Sequence, residues 1–292
     1  MITLSTAAAL ATAVLATSFL SGIFGMAGGI ILLGVLLVIM PLAPAMVLHG
    51  ITQLASNAWR AWIWRAAIRW DIVCSYALGA LVAAAAFTAM RFTPSKPVTL
   101  IAIGLISFIG LWLPGRLAPD ITRRWHSFGC GAICTALHLV AGISGPILDV
   151  SFVRTTLGRR ETVATKAAVQ ALGHLLKAVY FGQLLLASGD TVAPTALALA
   201  VLLAVIGTQL SRGVLDAISD AQFRRWSRGL ILGIAAASLV QGVYLLGANA
   251  AAAARMNRLN GGMSALTVVA MEREAAAPHG VAHAHRSSRG NQ

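Results

Sequence analysis

Gly25-Met26-Ala27-Gly28-Gly29-Ile30-Ile31-Leu32 recurs 117 positions later as Gly142-Ile143-Ser144-Gly145-Pro146-Ile147-Leu148-Asp149. The register then holds without a gap. Gln53 falls on Gln170, Asn57 on His174, Arg60 on Lys177 and Ala61 on Ala178, so polar residues repeat along with the apolar ones. The chain therefore reads as two copies of one unit, each opened by a glycine-rich break.

The solvent of those units follows from composition. Of 292 residues 58% are hydrophobic and 11% charged, with mean hydropathy +0.80. That excludes a soluble domain and implies a polytopic all-α membrane protein, because in a bilayer every backbone N–H and C=O must be paired within the protein. The net charge of +13 does not point to nucleic acid. The basic residues sit in short loops, where they orient the protein and meet anionic headgroups, so the lipid bilayer is the expected partner. Cys74, Cys130 and Cys134 form no disulfide or Cys-x-x-Cys pattern and read as small buried hydrophobes. Ala7–Leu20 has no Arg or Lys ahead of it and is expected to belong to the mature fold rather than to a signal peptide.

A crossing needs about 17–25 apolar residues. Gly29–Met40, Phe128–Ala141 and Pro146–Val153 fall short and are predicted to be half-helices. Basic clusters at Arg60/Arg65/Arg69, Arg116/Arg123/Arg124, Arg154/Arg159/Arg160 and Arg212/Arg224/Arg225/Arg228 mark the cytoplasmic side. With clusters at both its ends, Phe128–Val153 must enter and leave on one side as a re-entrant hairpin. Leu4–Met40 is its counterpart from the outer side. Each half is then a broken hairpin plus three spans, and the odd number of crossings inverts one half relative to the other. The expected organisation is a first transmembrane repeat over 1–115, a cytoplasmic linker over 116–127, a second repeat over 128–249 and a disordered basic tail over 250–292. Oligomeric state is left open. His279, His283 and His285 in that tail have no acidic or Cys partners, and neither a metal site nor a cofactor is expected.

Each glycine stretch opens a short helix, and the unpaired N–H groups and positive dipole end of a helix start suit an anion. Gly25, Gly28 and Gly29 in one half, and Gly142, Ser144 and Gly145 in the other, are the backbone candidates. Close helix packing is the alternative for either stretch alone, and the matched pair favours a site. Gln53/Asn57 and Gln170/His174 share a spacing of four, one face of a helix, and offer uncharged donors to a small anionic substrate. They could equally hydrogen-bond between helices. Lys177 is a basic residue deep in an apolar run and a candidate counter-charge, with snorkelling as the alternative. Arg60 is read as an anchor beside Trp59, Trp62 and Trp64. Asp149, which has no acidic mate in the first half, is the coupling candidate, able to carry a proton or to pair with Lys177 or Arg154, with a purely structural cap or salt bridge to Arg154 near the cytoplasmic loop as the favoured alternative. His49 and His138 are read as packing residues.

The paired glycine breaks, with Ala164-Thr165-Lys166-Ala167-Ala168-Val169-Gln170 and His174-Leu175-Leu176-Lys177-Ala178-Val179-Tyr180-Phe181-Gly182, resemble the sulfite exporter TauE/SafE family, also called the TSUP transporters. The likeness spans about Ser18 to Leu246. It implies an inner-membrane permease of two four-segment repeats that moves sulfur-containing anions such as sulfite or organosulfonates. With no Gly-x-x-x-x-Gly-Lys-Ser/Thr run, a secondary transporter is expected rather than an ATP-driven one or an enzyme. Competing readings are transport of another small anion or a metal cation, an intramembrane enzyme using Asp149 and His174, and an assembly factor.

Overall fold

The computed structural model describes residues 4–24, 26–217 and 220–275. All regular structure among them is helical: α1 (Leu4–Phe24), α2 (Met26–Ile39), α3 (Leu42–Ile63), α4 (Trp70–Met90), α5 (Lys96–Trp112), α6 (Arg124–Ala141), α7 (Gly145–Phe152), α8 (Arg159–Ala187), α9 (Pro194–Ala217) and α10 (Asp220–Ala275). Segments Trp70–Met90, Pro194–Ser211 and Arg228–Met256 are each long and apolar enough to cross a bilayer. The chain is a polytopic helical membrane protein. Its lipid-facing character is visible in exposed Leu78, Leu81 and Val82 on α4 and Leu199 and Leu202 on α9, where soluble helices would carry charge.

Aromatic anchors lie near the helix ends. The Arg65 guanidinium lies 4.7 Å from the centre of the Trp62 ring, and Arg160 and Arg228 cover Trp64 and Trp112 at 5.5 and 5.6 Å. Such stacking suits the boundary between hydrocarbon and headgroups, and it gives the basic clusters a second role as clamps on the tryptophans.

Both glycine stretches break a helix and turn the chain back on itself. At the first, α2 returns along α1 so closely that a Cβ on Gly28 would lie 2.1 Å from the Thr17 carbonyl oxygen. At the second, α6 ends on Gly142, whose φ of +73° is open to glycine at little cost. Helix α7 then starts with Pro146 in its first turn, where a missing N–H breaks no helical bond. The short segments Gly29–Met40, Phe128–Ala141 and Pro146–Val153 correspond to α2, α6 and α7, with α6 beginning at Arg124, inside the stretch read as linker, and α10 runs past 249 to Ala275.

Helix directions follow from the contacts. Helices α3 and α8 are antiparallel, since His49 meets Lys177 while the Arg69 N–H donates to Thr165 Oγ1 (3.0 Å) further along. Helices α4 and α6 run parallel: Ser127 Oγ donates to the Ile72 carbonyl (2.9 Å), and Gly131 lets α6 approach the Tyr76 carbonyl. Helices α1 and α9 do the same, Gly207 against Leu15 and Phe19 and Gly22 against Ser211. Exchanging the two halves turns the α1–α9 pair into the α6–α4 pair and the α3–α8 pair into itself. The sequence repeat is thus also a repeat of packing.

The apolar interior forms two clusters, one around Leu33, Leu36, Met46 and Phe181, the other around Tyr76, Leu148, Phe152 and Val169. From Leu246 the chain forms a separate unit, helical to Ala275. Disorder is expected there from composition. Ala248 and Ala250–Ala254 have the highest intrinsic helix propensity, which suffices to continue a helix already nucleated upstream. The expected tail beyond 275, with its three histidines, lies outside the described residues.

Candidate functional site

A small interior cavity of about 20 Å³ lies where the two breaks meet, with room for about one water molecule. Gly29 of α2, Gln53 and Asn57 of α3, Ser144 and Gly145 at the start of α7, and Gln170 and His174 of α8 all line it. Seven of the sequence-predicted site residues therefore converge on one point. The meeting is close: a Cβ on Gly145 would lie 2.6 Å from the Met26 Cβ, so the first turns of α2 and α7 touch. A larger crevice of about 400 Å³, lined by α1, α9 and Leu48, is almost wholly apolar and offers no converging polar groups.

The remaining candidates divide. Gly25 lies outside the described residues. Gly28 does not line the cavity. It is buried against α1, so at this position close packing is the role the geometry supports. Gly142 caps the end of α6 instead of opening a helix, and its N–H is taken by the His138 carbonyl at 3.0 Å. What Gly142 offers is its carbonyl oxygen, and Lys177 takes it.

Lys177 is fully buried and stands behind the cavity wall. Its Nζ donates to the Gly142 carbonyl (2.9 Å) and to Nδ1 of His49. His49 in turn donates from Nε2 to the Gly29 carbonyl (2.9 Å). The tautomer is fixed by its neighbours, because a carbonyl can only accept and an ammonium can only donate. One hydrogen-bonded chain, Gly142–Lys177–His49–Gly29, thereby ties the second break to the first. Arg60, the repeat mate of Lys177, does the matching job in its own half: its Nη2 donates to the Ser21 carbonyl in the last turn of α1 (3.3 Å). In each half a cation from the long helix meets carbonyls at the C-terminal end of the broken one, where the dipole favours positive charge. The anchor reading of Arg60 gives way to this capping one.

His49 and His138, read from sequence as packing residues, both line the cavity. The rings of His138 and His174 are 4.6 Å apart and those of His49 and His174 5.5 Å, each pair edge-on. A ring nitrogen of His138 bonds Ser144 Oγ (3.2 Å). A signal was available for His49, which stands four residues before Gln53 and so extends the stripe Gln53–Asn57 by one turn. His138 stands one turn before the Gly142 break.

Asn57 spends a donor within its own helix, on the Gln53 carbonyl at 2.8 Å. Gln53 Nε2 and His174 Nδ1 are different: both are buried, both belong to wall residues, and neither has a partner among the described residues. Leaving such groups unpaired costs about 1–3 kcal/mol each, so the wall holds unspent hydrogen-bonding capacity. Among the described residues no carboxylate lines the cavity.

Asp149 lies away from the cavity and pairs with Lys166, while Arg154 donates instead to the carbonyls of Arg116 and Ala118. The expected pairing with Lys177 or Arg154 is thus replaced by one a sequence scan had no reason to prefer. Both groups are partly exposed, and such pairs contribute about 0–1 kcal/mol. Asp149→Asn is therefore expected to leave stability within about 1 kcal/mol of wild type, measured by thermal melting of the detergent-purified protein.

No curated protein and no solved structure matches this chain. One family model does, over residues 9–239, and its description is "Sulfite exporter TauE/SafE". The match covers both glycine breaks, both polar stripes and the helices that carry them, and with it the chain belongs to the sulfite exporter TauE/SafE family of membrane transporters.

Proposed function

We propose that the protein is a secondary transporter of the cell inner membrane that exports sulfur-containing anions such as sulfite or organosulfonates by alternating access. The observation that carries this reading is the cavity itself: uncharged donors from repeat-matched positions, two helix starts in contact, and no carboxylate. The antiparallel α3–α8 pair and the exchange symmetry of α1–α9 with α4–α6 support two inverted repeats, 1–115 and 128–249, joined by a cytoplasmic linker. Rocking one half against the other would then open the cavity to either side in turn. An inside-negative potential supplies about 2.3 kcal/mol per charge per 100 mV to an anion that leaves, so export needs no further coupling.

In this reading Gln53, Gln170 and His174 donate to the anion's oxygens, with Gly29, Ser144 and Gly145 giving backbone close approach and Asn57 completing the wall. Lys177 contributes its charge from behind, through the chain it holds. The test is exchange of labelled sulfite, sulfoacetate and other sulfonates in proteoliposomes. Gln53→Ala and Gln170→Ala are expected to raise KM about 10- to 100-fold each, since a hydrogen bond to a charged ligand contributes about 1.5–3 kcal/mol. His49, His138 and His174 share the wall, although among the described residues no three His, Cys, Asp or Glu are placed to hold a metal ion, so Zn²⁺ and Ni²⁺ belong in the same panel as the competing cargo. Flux of the metals, or unchanged KM for the anions in both variants, would overturn the assignment.

A further inference from the structure

The ion pair between Asp149 and Lys166 has a specific place along its two helices. Gly145 and Gln170 are cavity wall. Asp149 stands four residues after Gly145 on α7 and Lys166 four residues before Gln170 on α8, so each shares a face with a wall residue, about 6 Å further along its helix. Both steps lead the same way, toward the helix ends near Arg154 and Arg159, the face assigned to the cytoplasm. The pair ties α7 to α8 one turn out from the cavity on that side.

The repeat identifies what stands on the opposite side. Asp149 matches Leu32, and Lys166 matches His49. Leu32 and His49 have no measurable exposure: Leu32 is packed in the apolar interior, and His49 is bonded through both ring nitrogens, to Lys177 and to the Gly29 carbonyl. The side chains of Asp149 and Lys166 are 36% and 27% exposed. One side is thus sealed by groups whose partners are all in place, and the other is covered by an ion pair in contact with water, of the kind that adds little net stability and can open and reform. His49 turns to the cavity, whereas Lys166 turns to a carboxylate whose facing oxygen makes no other bond among the described residues.

A carboxylate and a sulfonate offer an ammonium the same kind of partner, an oxyanion that accepts charge-assisted hydrogen bonds. An anion arriving from the cytoplasm can therefore replace Asp149 at Lys166 without leaving the cation unpaired. The next polar groups on that face of α8, at steps of four, are Gln170 and His174. The cavity of about 20 Å³ admits a water molecule and no sulfonate, so cargo enters only when a wall parts, and this tie is one that the cargo itself can release.

We propose that Lys166 is the cytoplasmic entry site for the cargo oxyanion and that Asp149 gates it by competing for the same ammonium. The proposal rests on the anion-transport reading above. Cargo at Lys166 frees Asp149, loosens α7 from α8 and moves one turn inward to Gln170; Asp149 then returns to Lys166 and closes the approach.

Opposite roles for the two partners give the test. Initial uptake of labelled sulfite and sulfoacetate is measured in inside-out membrane vesicles, which expose the cytoplasmic face, from cells with and without the protein. Lys166→Gln is expected to raise KM about tenfold, as loss of a hydrogen bond to a charged ligand does. Asp149→Asn, which removes the competitor, is expected to lower KM about threefold or more, and in the Lys166→Gln background to change it less than about twofold, since the two residues act on one another. A pair that only fastens α7 to α8 would be lost equally in either variant, moving KM in one direction or not at all. A KM that does not fall in Asp149→Asn, or does not rise in Lys166→Gln, overturns the gate, and a raised KM in Gln170→Ala then still upholds transport. Wild-type vesicles that take up none of the anions overturn the transport reading, and the gate with it.

Discussion

Lys177→Met is expected to lower anion exchange by about two orders of magnitude without lowering the melting temperature of the detergent-purified protein. The two halves of this expectation have different causes. Lys177 is fully buried, and among the described residues no salt bridge reaches it. Such a group costs folding free energy, and a methionine of similar length and shape removes that cost. Against this, the Gly142 carbonyl and His49 Nδ1 lose their donor, at about 1–3 kcal/mol each, so the two effects on stability offset. Function has no such offset. The chain from Gly142 through Lys177 and His49 to Gly29 ties the two breaks together beside the cavity. If each loss is felt in full, about 2–6 kcal/mol of cavity preorganisation goes, which spans factors of about 30 to more than 10³ in rate. Lys177→Arg keeps charge and donors in a bulkier, planar head and should fall between the two. Exchange above one tenth of wild type in Lys177→Met would show that the cation is not needed.

Gly28→Ala should fail to give a stable protein, while Gly34→Ala, on the same helix, should be neutral or stabilising. A Cβ on Gly28 would lie 2.1 Å from the Thr17 carbonyl oxygen and 2.4 Å from the Ser21 N. Both are backbone atoms of α1, so relief requires α1 and α2 to separate along their length, and the bottom of the first break would open. Overpacking of side chains costs about 1–3 kcal/mol, and a clash with backbone lies at or above the top of that range. At Gly34 nothing lies within 4 Å of the added atom, and Ala gains roughly 1 kcal/mol over Gly in a helix interior. Expression yield and thermal melting in detergent check both. A Gly28→Ala protein that melts like wild type would mean that α1 and α2 pack less tightly than these distances require.

The sequence by itself determined the class, the repeat and the polar stripes. These are properties of one chain segment at a time: a lack of charge over 20 residues forces helices in lipid, and a spacing of four puts Gln53 with Asn57 and Gln170 with His174 on single faces. It also placed the breaks, because the two glycine runs interrupt apolar segments at matched positions of the repeat. What each glycine does was decided only by tertiary structure. Gly28 and Gly29 are neighbours with the same local chemistry, yet one is pressed against α1 and the other lines the cavity. The same holds for the charges: Lys177 finds His49 and Gly142, Arg60 finds Ser21, and Asp149 finds Lys166, all partners set by which helix faces meet. Local spacing fixes the face on which a side chain stands; the identity of the facing helix comes from the packing of the whole bundle, and hydrogen bonds over a few ångströms depend on that second fact.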